Sequence, residues 1–184
     1  MIRWFLNRRF RSFEKEFDYD LTYARDILDA DLQGISYLSH IGKAANYRKD
    51  VPLDAWYAAK IAATLSEDCG PCTQLVVTMA ERAGVGPAAL RAILADDERS
   101  MTPDSALGFR FAQAVMRRNI DEADTLRAEI VKRWGRRALV SLAMAISTSI
   151  VFPNLKYALG HGRACTKVRV AGAEAPLAHR ESLA

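Results

Sequence analysis

The sequence predicts an all-helical protein, and three observations support this prediction. Apolar residues recur at helical spacing along most of the 184 residues, and no segment sustains the alternation that is typical of β-strands. Proline and glycine stand where helices are expected to begin and end. Half of the residues are hydrophobic and 26% are charged, which is ordinary for a globular protein with a sizeable core. The net charge of +4 is modest, so we expect no nucleic-acid partner.

Residues 1–50 are expected to form a helical extension ahead of the core. Residues 1–17 interleave arginines with Trp4, Phe5 and further phenylalanines, which predicts a basic amphipathic helix. Residues 21–46 predict one long helix with Gly34 inside it. The basic helix has two interpretations. It packs on a neighbouring subunit, which we favour, or it contacts an anionic membrane surface.

Residues 51–160 are expected to form the helical core. Its predicted helices cover residues 53–66, 71–83, 87–95, 102–118, 121–135 and 136–158. Thr102 and Asp121 are the expected N-caps of two of them, and Pro103 suits a first helical position. The apolar window 139–152 is shorter than the roughly 20 residues of a membrane span, so we interpret it as a buried helix, disturbed at Pro153.

Residues 161–184 form a tail without a periodic pattern, which we expect to be loosely held. His161 lies between two glycines and could reach a pocket, whereas His179 is expected to have no role. His40, in the predicted long helix, is expected to be a surface or structural histidine.

The sharpest motif is Cys69-Gly70-Pro71-Cys72, between two predicted helices. The N-terminal segment lacks the apolar region of a signal peptide, so we expect a cytoplasmic, reducing location. There a CxxC motif is more often catalytic or metal-binding than structural. A zinc site would need two further ligands, and Cys165 with His161 is a weak candidate pair, so no metal is expected. Cys165 is expected to be a free thiol.

The position of the motif has a chemical consequence. Pro71 suits the first turn of a helix, where its missing N–H is not needed, and Gly70 permits a sharp turn. A helix N-terminus lowers the pKa of a thiol, and a thiolate beside a second cysteine can attack a disulfide or a peroxide. The alternative is that the two cysteines have only a structural role, as small residues buried at a tight corner. Glu67 either raises the thiol pKa by its charge or accepts the thiol proton as a general base.

The same tetrapeptide occurs in thioredoxins, but there it follows a β-strand, and here it follows an amphipathic helix. The order of features instead resembles the carboxymuconolactone decarboxylase superfamily, in its alkylhydroperoxidase D-like branch. The resemblance rests on CxxC opening a helix, on Ala80-Glu81-Arg82-Ala83-Gly84-Val85 and on Leu107-Gly108-Phe109-Arg110-Phe111-Ala112. It covers roughly residues 50–160. It implies an all-α, oligomeric protein whose second cysteine, Cys72, attacks a hydroperoxide and whose first, Cys69, resolves the disulfide.

Two positions depart from that family pattern. The family has a histidine four residues after the second cysteine, where this chain has Val76, and a glutamate twelve residues before the first, where it has Tyr57. Both members of the usual proton relay are therefore missing. We hypothesise that Glu67 replaces the base and that Tyr57 donates a hydrogen bond.

The predicted function is that of a thiol-disulfide oxidoreductase with peroxidase-like activity. It would need an external thiol or dithiol reductant, and no cofactor is expected because the sequence has no dinucleotide or phosphate-binding glycine motif. A homo-oligomer is expected from the resemblance. The alternative is a non-enzymatic oligomeric binding protein or a redox sensor on the same scaffold.

Overall fold

A computed structural model describes residues 2–162 and 167–178, and the regular secondary structure of this part of the chain is almost entirely helical. The helices are α1 (Ile2–Phe17), α2 (Thr22–Ala30), α3 (Leu32–Ala44), α4 (Leu53–Ser66), α5 (Gly70–Arg82), α6 (Pro87–Leu94), α7 (Pro103–Met116), α8 (Ile120–Trp134) and α9 (Arg136–Ala158). A single 3₁₀ turn, Glu98–Ser100, precedes α7, and the strands β1 (Arg169–Val170) and β2 (Ala173–Glu174) pair antiparallel. The all-helical prediction is confirmed.

Helix α4 is the centre of the core. It is buried on every side from Ala55 to Thr64, and it packs against α5, α6, α7 and α9. Its contact with α7 is a close backbone approach, because a Cβ on Gly108 would lie 2.3 Å from the carbonyl oxygen of Ala55. The small residues of α4 therefore allow the neighbouring helices to surround it.

The N-terminal helices form a second, smaller apolar cluster. Its buried members are Tyr19, Leu21, Tyr23, Ala24, Leu28 and Ile35. The prediction of one long helix over residues 21–46 is wrong, because the chain is extended at Asp31 and divides into α2 and α3. The Asp31 carboxylate accepts hydrogen bonds from the backbone N–H groups of Gln33 and Gly34, which starts a new helix at the cost of continuing the old one.

One of the two predicted caps is present and the other is replaced. The Thr102 hydroxyl accepts a hydrogen bond from the Ser105 N–H at 3.1 Å, as predicted for the start of α7. Helix α8 is capped by Asn119 and not by Asp121. Asp121 lies in the first turn instead, where a carboxylate still interacts favourably with the helix dipole.

Helix α9 continues through Pro153 to Ala158. Within the described residues, this one helix is long and apolar enough to cross a membrane, judged by length and composition alone. The predicted bounds of 136–158 match those of α9, whereas its apolar stretch is longer than the window 139–152. The core helix of a soluble protein meets the same criterion, and Leu142, Ala145 and Ile146 of α9 are buried within this chain.

The described part of the tail, residues 167–178, is anchored to the core, which differs from the expectation of a loosely held segment. Val168 and Val170 are fully buried. The Gln74 side chain of α5 accepts from the Arg169 N–H at 2.6 Å and donates to its carbonyl at 3.1 Å. Two buried valines and hydrogen bonds to the backbone of Arg169 therefore hold this segment in place, although its sequence has no helical periodicity. Cys165 and His179 lie outside the described residues.

Candidate functional site

The two cysteines meet where α4 turns into α5. After α4, Asp68 adopts a left-handed conformation (φ 47°), which aspartate tolerates better than most residues. Cys69 is then the N-cap residue of α5, and its carbonyl accepts the Thr73 N–H at 2.9 Å. Cys72 lies in the first turn, the two Cα atoms are 5.3 Å apart, and the sulfurs are bonded as a disulfide. The pair thus lies where the unpaired N–H groups of a helix stabilise a thiolate.

The two sulfurs face different surroundings. Cys69 lines a very small cavity of about 10 Å³ with Pro153, Lys156 and His161. Cys72 lines a cavity of about 1370 Å³ between the N-terminal helices and the core. Both side chains are buried, at 7% and 4% exposure, so reagents reach the sulfurs through these spaces or after local opening.

Tyr19 is the nearest polar partner of Cys72. Its hydroxyl lies 3.9 Å from Cys72 Sγ and is buried. Burial raises the pKa of Tyr19 well above its ordinary value, with a further contribution from Tyr23, whose own pKa burial raises to about 12. The Tyr19 hydroxyl is therefore protonated at neutral pH, and it can donate a hydrogen bond to a Cys72 thiolate.

A charged cluster lies on the Cys69 side. His161 Nε2 is 2.6 Å from Asp26 Oδ2, and both His161 and Lys156 line the small cavity that Cys69 faces. Lys156 Nζ lies 5.0 Å from the ring centroid of Tyr19. The hydroxyl of Thr22 lowers the pKa of Asp20, and the charges of Lys156 and His161 lower it further. An imidazole paired with a carboxylate thus lies beside the first cysteine.

The large cavity is lined mostly by apolar side chains. Cys72, Leu75, Val76 and Met79 follow one another at helical spacing along one face of α5, and Phe152 faces them from α9. Leu6, Phe10 and Phe13 of α1 line the N-terminal side. Exposed residues of α3 lie at the rim, so the cavity opens to solvent there; they are Ser36, Ser39 and Lys43.

Lys60 is the buried cation of this cavity. It is 5% exposed, its Nζ donates to the Ala45 carbonyl at 3.0 Å, and it lies 4.3 Å from the centroid of the Trp56 ring. Burial lowers the pKa of Lys60 to about 8. Lysines are almost never buried without a partner, so this side chain marks a special position in the core.

Of the predicted site residues, the structure brings Cys69 and Cys72 together. Tyr57 is buried against Trp56, with ring centroids 5.0 Å apart, and burial raises its pKa. Glu67 is a half-buried residue at the C-terminus of α4. Neither Tyr57 nor Glu67 lines either cavity.

The residues that the sequence analysis missed come from distant parts of the chain. Tyr19 and Lys60 line the cavity that Cys72 lines, and Lys156 lines the small cavity at Cys69. His161 was predicted only to be able to reach a pocket. Lys60 carried a usable signal, because it interrupts the apolar run from Ala55 to Ala63. His40 is exposed, with its Nδ1 2.8 Å from the Ser36 carbonyl.

Comparisons with protein-family models, with curated proteins and with solved structures give no match for this chain. Within residues 2–162 and 167–178, no group of three or more histidine, cysteine, aspartate or glutamate side chains is placed to hold a metal ion. The dithiol and the two cavities beside it are therefore the features of this chain that indicate a function.

Proposed function

We propose that the protein is a cytoplasmic thiol-disulfide oxidoreductase with peroxidase-like activity, on a scaffold of the alkylhydroperoxidase D-like branch of the carboxymuconolactone decarboxylase superfamily. The main support is a pair of cysteines bonded at a helix N-terminus, with one of them facing a cavity that opens to solvent. The substrate class is a small hydroperoxide or disulfide, and the electrons come from an external thiol or dithiol.

In the proposed cycle the Cys72 thiolate attacks one oxygen of the hydroperoxide and the O–O bond breaks. The leaving alkoxide takes up a proton and departs as an alcohol, while Cys72 becomes a sulfenic acid. The Cys69 sulfur then attacks Cys72 Sγ, which forms the disulfide and releases water. An external dithiol reduces this disulfide by exchange and is itself oxidised, which restores both thiols.

Residues on each side of the disulfide supply the supporting interactions. The Tyr19 hydroxyl, 3.9 Å from Cys72 Sγ, stabilises the attacking thiolate. The His161–Asp26 pair, beside the cavity that Cys69 lines, accepts the Cys69 proton during resolution. Glu67 and Tyr57 stay predictions for the relay, and unchanged thiol reactivity in Glu67→Gln across pH would remove Glu67 from it.

The decisive experiment measures hydroperoxide consumption by the reduced protein with a dithiol reductant. We expect Cys72→Ser to abolish consumption. Pre-reduced Cys69→Ser, freed of reductant, should consume about one equivalent and stop at a sulfenic acid, because it lacks the thiol that forms the disulfide. Cys165→Ser is the matched control and should retain full turnover. If Cys69→Ser consumed no hydroperoxide and Cys72→Ser consumed one equivalent, the attacking role would belong to Cys69. Absence of consumption by the wild-type protein would refute the peroxidase proposal.

A redox-sensing binding protein is the second candidate, which the large cavity favours. On this proposal the disulfide changes the assembly of a homo-oligomer. Helix α1 exposes Ile2, Trp4 and Phe5 to solvent, and these side chains suit a contact with a neighbouring subunit in preference to a membrane surface. Size-exclusion chromatography of oxidised and reduced protein tests this, and identical profiles would contradict it.

A further inference from the structure

Lys60 presents an electrostatic problem in the large cavity. Burial is the cause of its lowered pKa, and no carboxylate within the described residues offsets the loss of solvation. Its ammonium group has three donors, of which one is directed to the Ala45 carbonyl, and it also lies 4.3 Å from the centroid of the Trp56 ring. A buried charge without a counter-ion is costly, so the remaining donors suit an anion that enters the cavity.

Ser149 adds a second, independent polar group to the same cavity. It is 6% exposed, and its hydroxyl has no hydrogen-bond partner within the described residues. Buried hydroxyl groups are nearly always paired in folded proteins, so Ser149 has an unmet hydrogen bond that a ligand group or a water in this cavity can supply. Lys60 and Thr64 are four residues apart on α4, and Thr148 and Ser149 are adjacent on α9, so the polar groups come from two core helices.

The rest of the cavity is mostly apolar and therefore favours a ligand with a large hydrocarbon part. Most of its lining is aliphatic or aromatic, including Phe10, Phe13, Leu75 and Met79. Its volume of about 1370 Å³ exceeds that of many small-molecule sites, which hold roughly 300–1,000 Å³. A short anion would leave this apolar surface uncovered, whereas a long hydrocarbon chain would cover it.

We propose that this cavity binds a long-chain carboxylate, with its carboxylate group at Lys60 and Ser149 and its hydrocarbon chain along the apolar face of α5 towards α1. Binding places the chain beside Cys72 but requires no chemistry there. The site therefore stands whether or not the dithiol reduces peroxides.

The experiment is a fluorescence titration with cis-parinaric acid, followed by displacement with palmitate or with hexadecanol. It is made on the Cys69→Ser, Cys72→Ser double variant as well as on the wild-type protein, so that redox chemistry does not contribute. We expect saturable binding that palmitate displaces at least about tenfold better than hexadecanol, because only palmitate carries the charge that Lys60 pairs. Lys60→Met should reduce affinity at least about tenfold, and Ser149→Ala by about threefold.

Two further variants make the test specific. Lys60→Arg keeps the charge and should retain the preference for palmitate over hexadecanol. Lys132→Met removes an exposed lysine of α8, outside the cavity, and should bind as the wild type does. Thermal unfolding of each variant confirms that it is folded before its affinity is used.

Three results would overturn the proposal. They are equal affinity of wild type and folded Lys60→Met, equal displacement by the acid and the alcohol, or absence of saturable binding to the folded wild-type protein, as when a second copy of the chain covers the cavity. Failure of peroxide consumption would leave the titration result unchanged, so the two proposals fail separately.

Discussion

The two sulfurs of the disulfide face two cavities that differ in size and in the polarity of their lining. Cys72 faces a large, mostly apolar cavity that opens to solvent along α3, with the Tyr19 hydroxyl as its polar neighbour. Cys69 faces a space of about 10 Å³ beside His161 and Lys156. Two residues of sequence separate an environment suited to an apolar reagent from one suited to moving protons.

This difference suggests a division of roles. A reagent with a hydrocarbon part finds room only beside Cys72, so the attacking role that the family resemblance implies for Cys72 agrees with the space around it. The Cys69 side has no room for such a reagent but holds an imidazole-carboxylate pair. In the proposed cycle, the two different cavities would therefore serve different steps.

The largest expected effect is on the pH dependence of stability, at the buried lysines of the two sides, Lys60 and Lys156. Between its folded pKa of about 8 and its unperturbed value of 10.5, Lys60 binds fewer protons in the folded than in the unfolded chain, so wild-type stability should rise with pH across this window. Lys60→Met lacks this dependence. Its gain in unfolding free energy over wild type should be greatest below pH 8, at up to ~3 kcal/mol, and should vanish above pH 10.5.

Lys156→Met is the comparison, measured by chemical denaturation at pH 7 and pH 10. Burial lowers the pKa of Lys156 as well, but the charge of Asp20 opposes the shift, so its pH-dependent gain should be smaller. A larger pH-dependent gain in unfolding free energy for Lys156→Met than for Lys60→Met would contradict this prediction. It would mean that the less compensated buried charge is that of Lys156, on the Cys69 side.

The next effect tests the hydrogen bond on the Cys72 side. Tyr19→Phe removes a buried donor 3.9 Å from Cys72 Sγ, so it should raise the pKa of the Cys72 thiol by about one unit. The rate of iodoacetamide alkylation against pH, in the Cys69→Ser background, measures that pKa. Tyr37→Phe, which alters an exposed tyrosine of α3, is the control and should leave the profile in place.

The smallest effect tests the Cys69 side. His161→Gln should slow resolution at Cys69 about threefold, below the roughly hundredfold contribution of a fully positioned general base, because the imidazole that assists loss of the thiol proton is removed. Stopped-flow measurement of disulfide formation after one equivalent of hydroperoxide isolates this step. His40→Gln, at an exposed histidine, should not change it, and an effect of His161→Gln on the first, attacking step alone would assign His161 to Cys72.

Most of the fold could be predicted from the sequence because its signals are local. Apolar spacing located the helices, and Pro103 with Thr102 marked the start of α7. The break at Asp31 was missed because the apolar spacing of α2 continues into α3, and only the capping geometry of the carboxylate separates them. The packing of residues 167–178 against the core was not predicted because β1 is held by long-range contacts, such as that of Arg169 with Gln74.

The site could be predicted only in part, for the same reason. Cys69 and Cys72 are three residues apart, so their motif is visible in the sequence. Tyr19 is 53 residues from Cys72, and His161 is 135 residues from Asp26, so no spacing rule connects either pair. Tyr57 was proposed from a family position and Glu67 from its closeness to Cys69 in the sequence, whereas Tyr19 and His161 line the cavities beside the sulfurs.

Helices α1–α3 have a consequence for how specificity can change. A shortened protein that began at Val51 would keep both cysteines and Lys60, but it would lose Tyr19 and the side of the cavity that α1 and α3 provide. The N-terminal helices thus contribute both to the wall of the cavity and, through Tyr19, to the surroundings of Cys72. Exchange of residues 2–44 would change the shape of the cavity and the hydroxyl beside the attacking sulfur in one step.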